Sequence, residues 1–174
     1  SKKMGGDCLN YGCVPSKALI AAAKQAHVFR TSGPYGIAAA EPKVDFKKVR
    51  DHIRKVIAAI EPHDSAARFE KLGVKVVPGA AKFRDAKTLE SGGGIFSAKR
   101  IVIATGSRPA VPAIPGLETV AYFTNETIFE NSVLPKHLII IGGGAIGMEL
   151  AQAHPRLGSA VTVIEAFTPL AKDD

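Results

Sequence analysis

The chain has 174 residues, of which 46% are hydrophobic and 22% charged, and a formal net charge of +7. This balance suits a globular chain with a sizeable core and excludes disorder; no apolar run nears the roughly 18 to 20 residues that cross a bilayer, and the glycine-rich start lacks a signal-peptide layout, so a cytoplasmic setting with no membrane partner is expected. The positive charge does not read as a nucleic-acid footprint, because the densest basic group, "KVDFKKVRDHIRKV", alternates with acidic and apolar positions as a solvated helix face does.

In chain order, residues 15–29 are alanine-rich with few breakers, and Pro15 is acceptable in a first helical turn, so a helix is expected there, ending at "SGPYG". Asp45 can cap a second helix, whose apolar positions Phe46, Val49, Ile53, Val56, Ile57 and Ile60 recur at three and four residues. Glu61 and Pro62 are expected to kink it before it resumes through Phe69 and stops at Gly73. The period then becomes that of strands in "VKVVPG", "AAKFRD", "KTLES", "GIFSA" and "RIVIATG", the last reading as a buried strand. The proline-rich "SRPAVPAIPG" marks a change of domain. From Pro135 the pattern is strand "HLIIIG", glycine turn, helix to about Leu157, Gly158 and strand "AVTVIEA", a β-α-β unit. Two strands and one helix cannot cover both faces of a parallel sheet, so the chain is expected to be a fragment.

Both cysteines lie in "GGDCLNYGCVPSK". Two are too few for a secreted disulfide scaffold, so a bridge here would be redox-active rather than structural. In a continuous helix, Cys8 and Cys13 would sit roughly 8 to 9 Å apart, beyond the approximately 7 Å limit for bridging, so the segment must bend if the bridge exists; Gly12 offers that freedom. Cys8 is then expected on an irregular first turn and Cys13 at the helix N-terminus, where backbone donors and Lys17, four residues on, favour a thiolate. The spacing alone leaves open two ordinary buried thiols. A zinc site is not expected, since there are no further cysteines and the five histidines have no metal-ligand spacing.

"GGGAIG" matches G-x-G-x-x-G, follows an expected strand and opens an expected helix. Gly142, Gly144 and Gly147, with Ala145 and Ile146 between them, would bring backbone amides to a pyrophosphate at the helix N-terminus. Glu165, 18 residues past Gly147, stands where a carboxylate accepts from an unphosphorylated ribose, which favours NAD over NADP; a solvated strand-end carboxylate is the plainer reading.

The stretch around the cysteines resembles the active-site segment of the class I pyridine nucleotide-disulfide oxidoreductases, the family that includes dihydrolipoamide dehydrogenase and mercuric reductase. The resemblance implies an α/β chain built on two Rossmann-like nucleotide-binding domains, both incomplete here: residues 1–110 as part of an FAD-binding domain with the redox helix, 111–134 as linker, and 135–174 as the first β-α-β of an NAD(H)-binding domain. It also implies a redox-active disulfide against FAD, with Cys8 exchanging with substrate, Cys13 contacting the flavin, Lys17 near the flavin edge, and Gly6 and Asp7 among the FAD contacts. "IVIATGSRP" resembles a later FAD segment, in which Ala104, Thr105 and Gly106 approach by backbone, and "GAA" at residues 79–81, ending at Ala81, resembles the stretch passing the adenine. Glu149 is implied to pair with Lys17 across the two domains.

The activity so implied is electron transfer between NAD(P)H and a small or protein-bound disulfide or dithiol, or a metal ion, in a homodimeric full-length enzyme. The family's first FAD motif and its C-terminal dimerisation domain match nothing in this sequence, so the chain alone is expected to be inactive. A non-catalytic nucleotide-binding redox sensor is the alternative. Two departures stand out: Asp7 replaces the family's more usual threonine, and Pro155, preceded by His154, falls inside a helix at a cost of order 3 kcal/mol.

Overall fold

The computed structural model describes residues 3–166; the end of the 135–174 unit lies outside them. Helices α1 (Gly6–Tyr11) and α2 (Cys13–Thr31) come first, then α3 (Phe46–Ile60) and α4 (Ala66–Lys71). An antiparallel meander follows: β1 (Lys82–Asp85), β2 (Thr88–Ser91) and β3 (Gly94–Ser97). The described chain closes with β4 (His137–Ile141), α5 (Ala145–Leu157) and β5 (Ala160–Ile164).

Local chemistry explains the helix boundaries. Asp45 caps α3, its carboxylate accepting from the Lys48 amide at 3.2 Å. Pro62 then turns the chain into a 3₁₀ segment, Glu61–Asp64, before Ser65 caps α4 and Gly73 takes φ +86° to end it. Between β4 and β5 the strands run parallel, in register from His137 opposite Ala160 to Ile141 opposite Ile164, with α5 as the crossover. This is the β-α-β unit expected, and it gives the chain an α/β dinucleotide-binding character. Pro155 does not end α5, which runs two residues further and is closed by Gly158 at φ +112°, whose amide bonds the His154 and Pro155 carbonyls.

The core is a three-helix junction. Ala18, Leu19, Ala23 and Ala26 of α2 meet Phe46 and Ile53 of α3 and Ala153 and Leu157 of α5, with Ile128 and Phe129 closing the side. The alanines matter, because small side chains on α2 let α3 and α5 approach its backbone closely. Arg30, near the end of α2, pairs with Glu41 and donates through Nη1 to the Arg156 carbonyl at 2.5 Å, pinning the end of α5.

Three expectations are corrected. Residues 74–77 form no strand, and residues 101–106 form none either: Val102 and Ile103 are 87% and 72% exposed. An apolar β-rich run becomes a buried strand only between neighbours, and no described strand lies beside this one. The third concerns Cys8, which sits in the short regular helix α1 rather than on an irregular turn, because Gly12 places the break after it. No helix among the described residues is long and apolar enough to cross a membrane.

Candidate functional site

Gly12, with φ −128° and ψ −112°, separates the two cysteines and is the break between their helices. Leu9, 1% exposed, anchors α1 beneath it, and Asn10 Nδ2 ties the start of α1 by donating to the Met4 and Gly6 carbonyls at 3.0 and 2.9 Å. Cys13 opens α2, as expected, and the Ser16 amide donates to the Gly12 carbonyl at 3.0 Å. Both thiols are free and exposed, which removes the reading of two ordinary buried cysteines. They are neighbours across Gly12, and hydrogen bonding with the Cys13 side chain pushes the Cys8 thiol above the usual range. Desolvation and the charges of Cys13 and Asp64 add to this, and the Cys13 amide opposes it. Two neighbouring thiols that can be brought together close to a disulfide with loss of two electrons and two protons.

One helical turn past Cys13, Lys17 forms an ion pair with Glu149 of α5, 132 residues away in the chain. The expected pairing is therefore present. The Lys17 hydrogen bond holds the Glu149 carboxyl below its ordinary range; the Ser16 hydroxyl and the lysine charge assist, against desolvation. The side chains are 63% and 33% exposed, so the pair contributes less than about 1 kcal/mol to stability; what it fixes is the direction of Lys17.

Glu149 also lines an open concavity of about 420 Å³ along α5, with Ala145, Met148, Ala151 and Gln152. At its far end the glycine turn is tightly drawn. A Cβ at Gly147 would stand 2.1 Å from the Gly142 carbonyl oxygen, so only glycine lets α5 begin this close to the end of β4. At Gly144 a Cβ would meet nothing within 4 Å, and α5 has no side-chain cap there. The first turn of α5 is thus uncapped and uncrowded at Gly144, which fits a diphosphate. Glu165 is not a solvated carboxylate: Oε2 accepts from the Gly143 amide at 2.5 Å, so it lies against the turn.

The remaining expected residues divide. Gly106, at φ +76°, lies beside Asp7, whose Oδ2 would be 3.8 Å from a Cβ on that glycine, so the 104–107 turn and the start of α1 converge. Gly6, at φ +58°, has open space where a Cβ would be. Ala104 and Thr105 are exposed on an irregular segment, and Ala81 is exposed beside the meander. Sequence reasoning passed over Ser16, Asp64 and Gly143. Ser16 could have been read from its place before Lys17, whereas Asp64 reaches Cys8 only through the packing of α3 against α1. No group of three or more metal-binding side chains occurs among the described residues.

A family model described as pyridine nucleotide-disulphide oxidoreductase matches residues 3–173. The mercuric reductase of Streptomyces lividans is 42% identical over 168 residues, covering 91% of this chain and 35% of the relative. That of Lysinibacillus sphaericus is 36% identical over 170 residues, 98% of this chain and 31% of the relative. The dihydrolipoyl dehydrogenase of Thermus scotoductus is 37% identical over 167 residues, 94% and 35%. Among solved structures, the Cu(II) complex of the HOCl-induced flavoprotein disulfide reductase RclA from Escherichia coli superimposes with a TM-score of 0.78 at 27% identity, over 98% of this chain and 35% of that one. The chain spans about a third of the length of these relatives.

Proposed function

The chain belongs to the pyridine nucleotide-disulphide oxidoreductase family, and from that membership we propose that it forms the redox centre of an FAD-dependent enzyme. Electrons would pass between NAD(P)H and a disulfide, dithiol or metal-ion substrate through Cys8 and Cys13. The observation that carries this reading is the pair of exposed thiols flanking Gly12, one helical turn from a lysine held by a distant glutamate.

Bound FAD would supply a two-electron carrier between the nicotinamide and the sulfur pair. The chain's own residues do the rest. Toward a disulfide substrate, the Cys8 thiolate attacks one sulfur and expels the first product thiolate; Cys13 then attacks Cys8, closing the Cys8 to Cys13 bond and releasing the second. Two electrons leave the pair, and its two protons end on the product thiols. Cys8, exposed on α1 and separated from Lys17 by Gly12, is the thiol assigned to meet the substrate. Lys17, oriented by Glu149, places a positive charge one turn from Cys13, where it offsets negative charge during transfer.

Two dinucleotide-binding units are proposed, with residues 1–110 contributing to the FAD side and residues from 135 to the NAD(H) side, joined by 111–134. Gly6, Asp7, Ala81, Ala104, Thr105 and Gly106 would approach FAD. Gly142, Gly144, Ala145, Ile146 and Gly147 would hold the nicotinamide dinucleotide's diphosphate, and the Glu165 carboxylate, at the end of β5, would repel a 2′-phosphate and favour NAD(H).

The test is an anaerobic titration with NADH of the full-length, FAD-loaded protein whose cysteine pair has first been oxidised, followed by a count of reactive thiols. Two new thiols per chain are expected in the wild type and none in Cys8→Ser or Cys13→Ser. An unchanged count in the wild type, or full activity with both positions serine, overturns the proposal.

A further inference from the structure

His154 stands outside the chemistry above. It is 1% exposed, one of the largest fully buried side chains, and sits where α5 docks on α2 and α3. Its ring lies 6.1 Å from that of Phe46, and its Nδ1 stands 3.0 Å from the Leu150 carbonyl oxygen. A carbonyl only accepts, so Nδ1 carries a proton here, and the ring is neutral only while Nε2 carries none. Residue 155 is proline, which removes the α5 rung to the Ala151 carbonyl, so the end of this helix depends on its surroundings more than an unbroken helix would.

Those surroundings offer no anion to an imidazolium. On α2, Arg30 is committed to Glu41 and to the Arg156 carbonyl. On the α3 side, Asp45 caps the helix and pairs with Lys48, and Arg50 pairs with Asp51. On β4, His137 Nε2 is 2.9 Å from the Thr162 hydroxyl. On α5 itself, Glu149 is taken by Lys17, and Arg156 is a further cation two residues away. Glu149, Asp45 and Asp51 are each paired with a cation already.

We propose that His154 is a proton-sensitive positioning residue, which keeps α5 docked on α2 and α3, and so keeps Glu149 against Lys17, only while its imidazole is neutral. The consequence for the redox centre rests on the role assigned above to that ion pair; the docking itself does not. Burial lowers the histidine's pKa in the folded chain, against a smaller opposing effect of the Leu150 carbonyl. The folded state therefore binds fewer protons than the opened one near neutrality. The stability His154 contributes is complete above the unfolded pKa of about 6.5 and is lost as pH falls below it toward the folded value.

Amide exchange of residues 145–157, corrected for intrinsic rates, tests this between pH 7.5 and 5, with the ring nitrogen shifts of His154 followed in parallel. Below about pH 6.5, protection of α5 should fall by up to about tenfold per pH unit, the limit for one proton. His154→Phe keeps the ring without the charge, and His154→Gln keeps a hydrogen-bond donor; whichever folds should show a pH-independent α5. Flat protection in the wild type, a parallel fall in both variants, or a ring titrating near 6.5 while α5 stays protected overturns the proposal. These readouts do not involve turnover, so a protein that passes them but fails the thiol count refutes the redox reading alone.

Discussion

Gly147→Ala probes the closest approach in the β-α-β unit. The new methyl would lie 2.1 Å from the Gly142 oxygen, 3.2 Å from its carbonyl carbon and 3.4 Å from Ile140 Cγ2. The first partner is backbone and cannot rotate away. Restoring an ordinary C···O separation of about 3.3 Å requires α5 and the end of β4 to part by about 1.2 Å. Strain of this kind costs about 1 to 3 kcal/mol, and the gain in helix propensity from Gly to Ala returns up to about 1. A net loss of about 1 to 2 kcal/mol is therefore expected, or about 2 to 8 °C in Tm for a chain of this size.

The control is three residues away. At Gly144 the backbone is extended, with φ −72° and ψ −178°, and a Cβ meets nothing. Gly144→Ser should fold with stability within about 0.5 kcal/mol of the wild type, since serine is also a good N-cap. Its side chain would project into the space offered to a diphosphate, so NADH affinity should fall while the melt is unchanged. Urea or thermal unfolding of both variants, with calorimetric titration of NADH, separates the two effects. The reasoning fails if Gly147→Ala melts with the wild type, or if Gly144→Ser is the more damaging change.

Cys13→Ala removes the first cause of the raised Cys8 pKa, so alkylation of Cys8 by iodoacetamide at pH 8 should accelerate; a slower reaction contradicts the influence of Cys13 on Cys8. Glu149→Gln should cost less than about 1 kcal/mol, because the ion pair is half open to solvent, and that cost should shrink in 0.5 M salt; a loss above about 2 kcal/mol in urea unfolding would make the pair a structural element rather than an orienting one. Pro155→Ala restores an amide to α5 and should raise stability by about 1 to 3 kcal/mol, read as a higher urea midpoint; a lower midpoint would mean that the packing there requires proline.

The parts legible in the sequence were those governed by neighbours in the chain. Asp45 as cap, Gly73 and Gly158 as stops, and the strand, glycine turn, helix and strand around residues 142–147 follow from propensity and period, and all appear. The break at Gly12 followed from a distance argument on two cysteines. Residues 101–106 failed because a strand's existence depends on its neighbours, which an apolar run cannot report. Asp64 was missed for a related reason: its influence on Cys8 arises from helix packing and leaves no local pattern, whereas Ser16 stands in the segment that carries Lys17. The Lys17 and Glu149 pair was reached only through resemblance, since no spacing rule connects residues so far apart.

Helix α5 joins these observations mechanically. Its first turn is uncapped at Gly144, its second carries Glu149 to Lys17, and its last is held by His154, Leu157 and the Arg30 contact to Arg156. A rigid helix rises about 1.5 Å per residue, so a displacement at either end is delivered to Glu149 nearly undiminished. The glycine that seats one end and the histidine that seats the other are therefore both positioned to control how Lys17 faces the thiols, although neither touches them. If so, Gly147→Ala and protonation of His154 should produce the same loosening of the Lys17 to Glu149 pair. Their effects should also be less than additive when combined, because each releases the same helix.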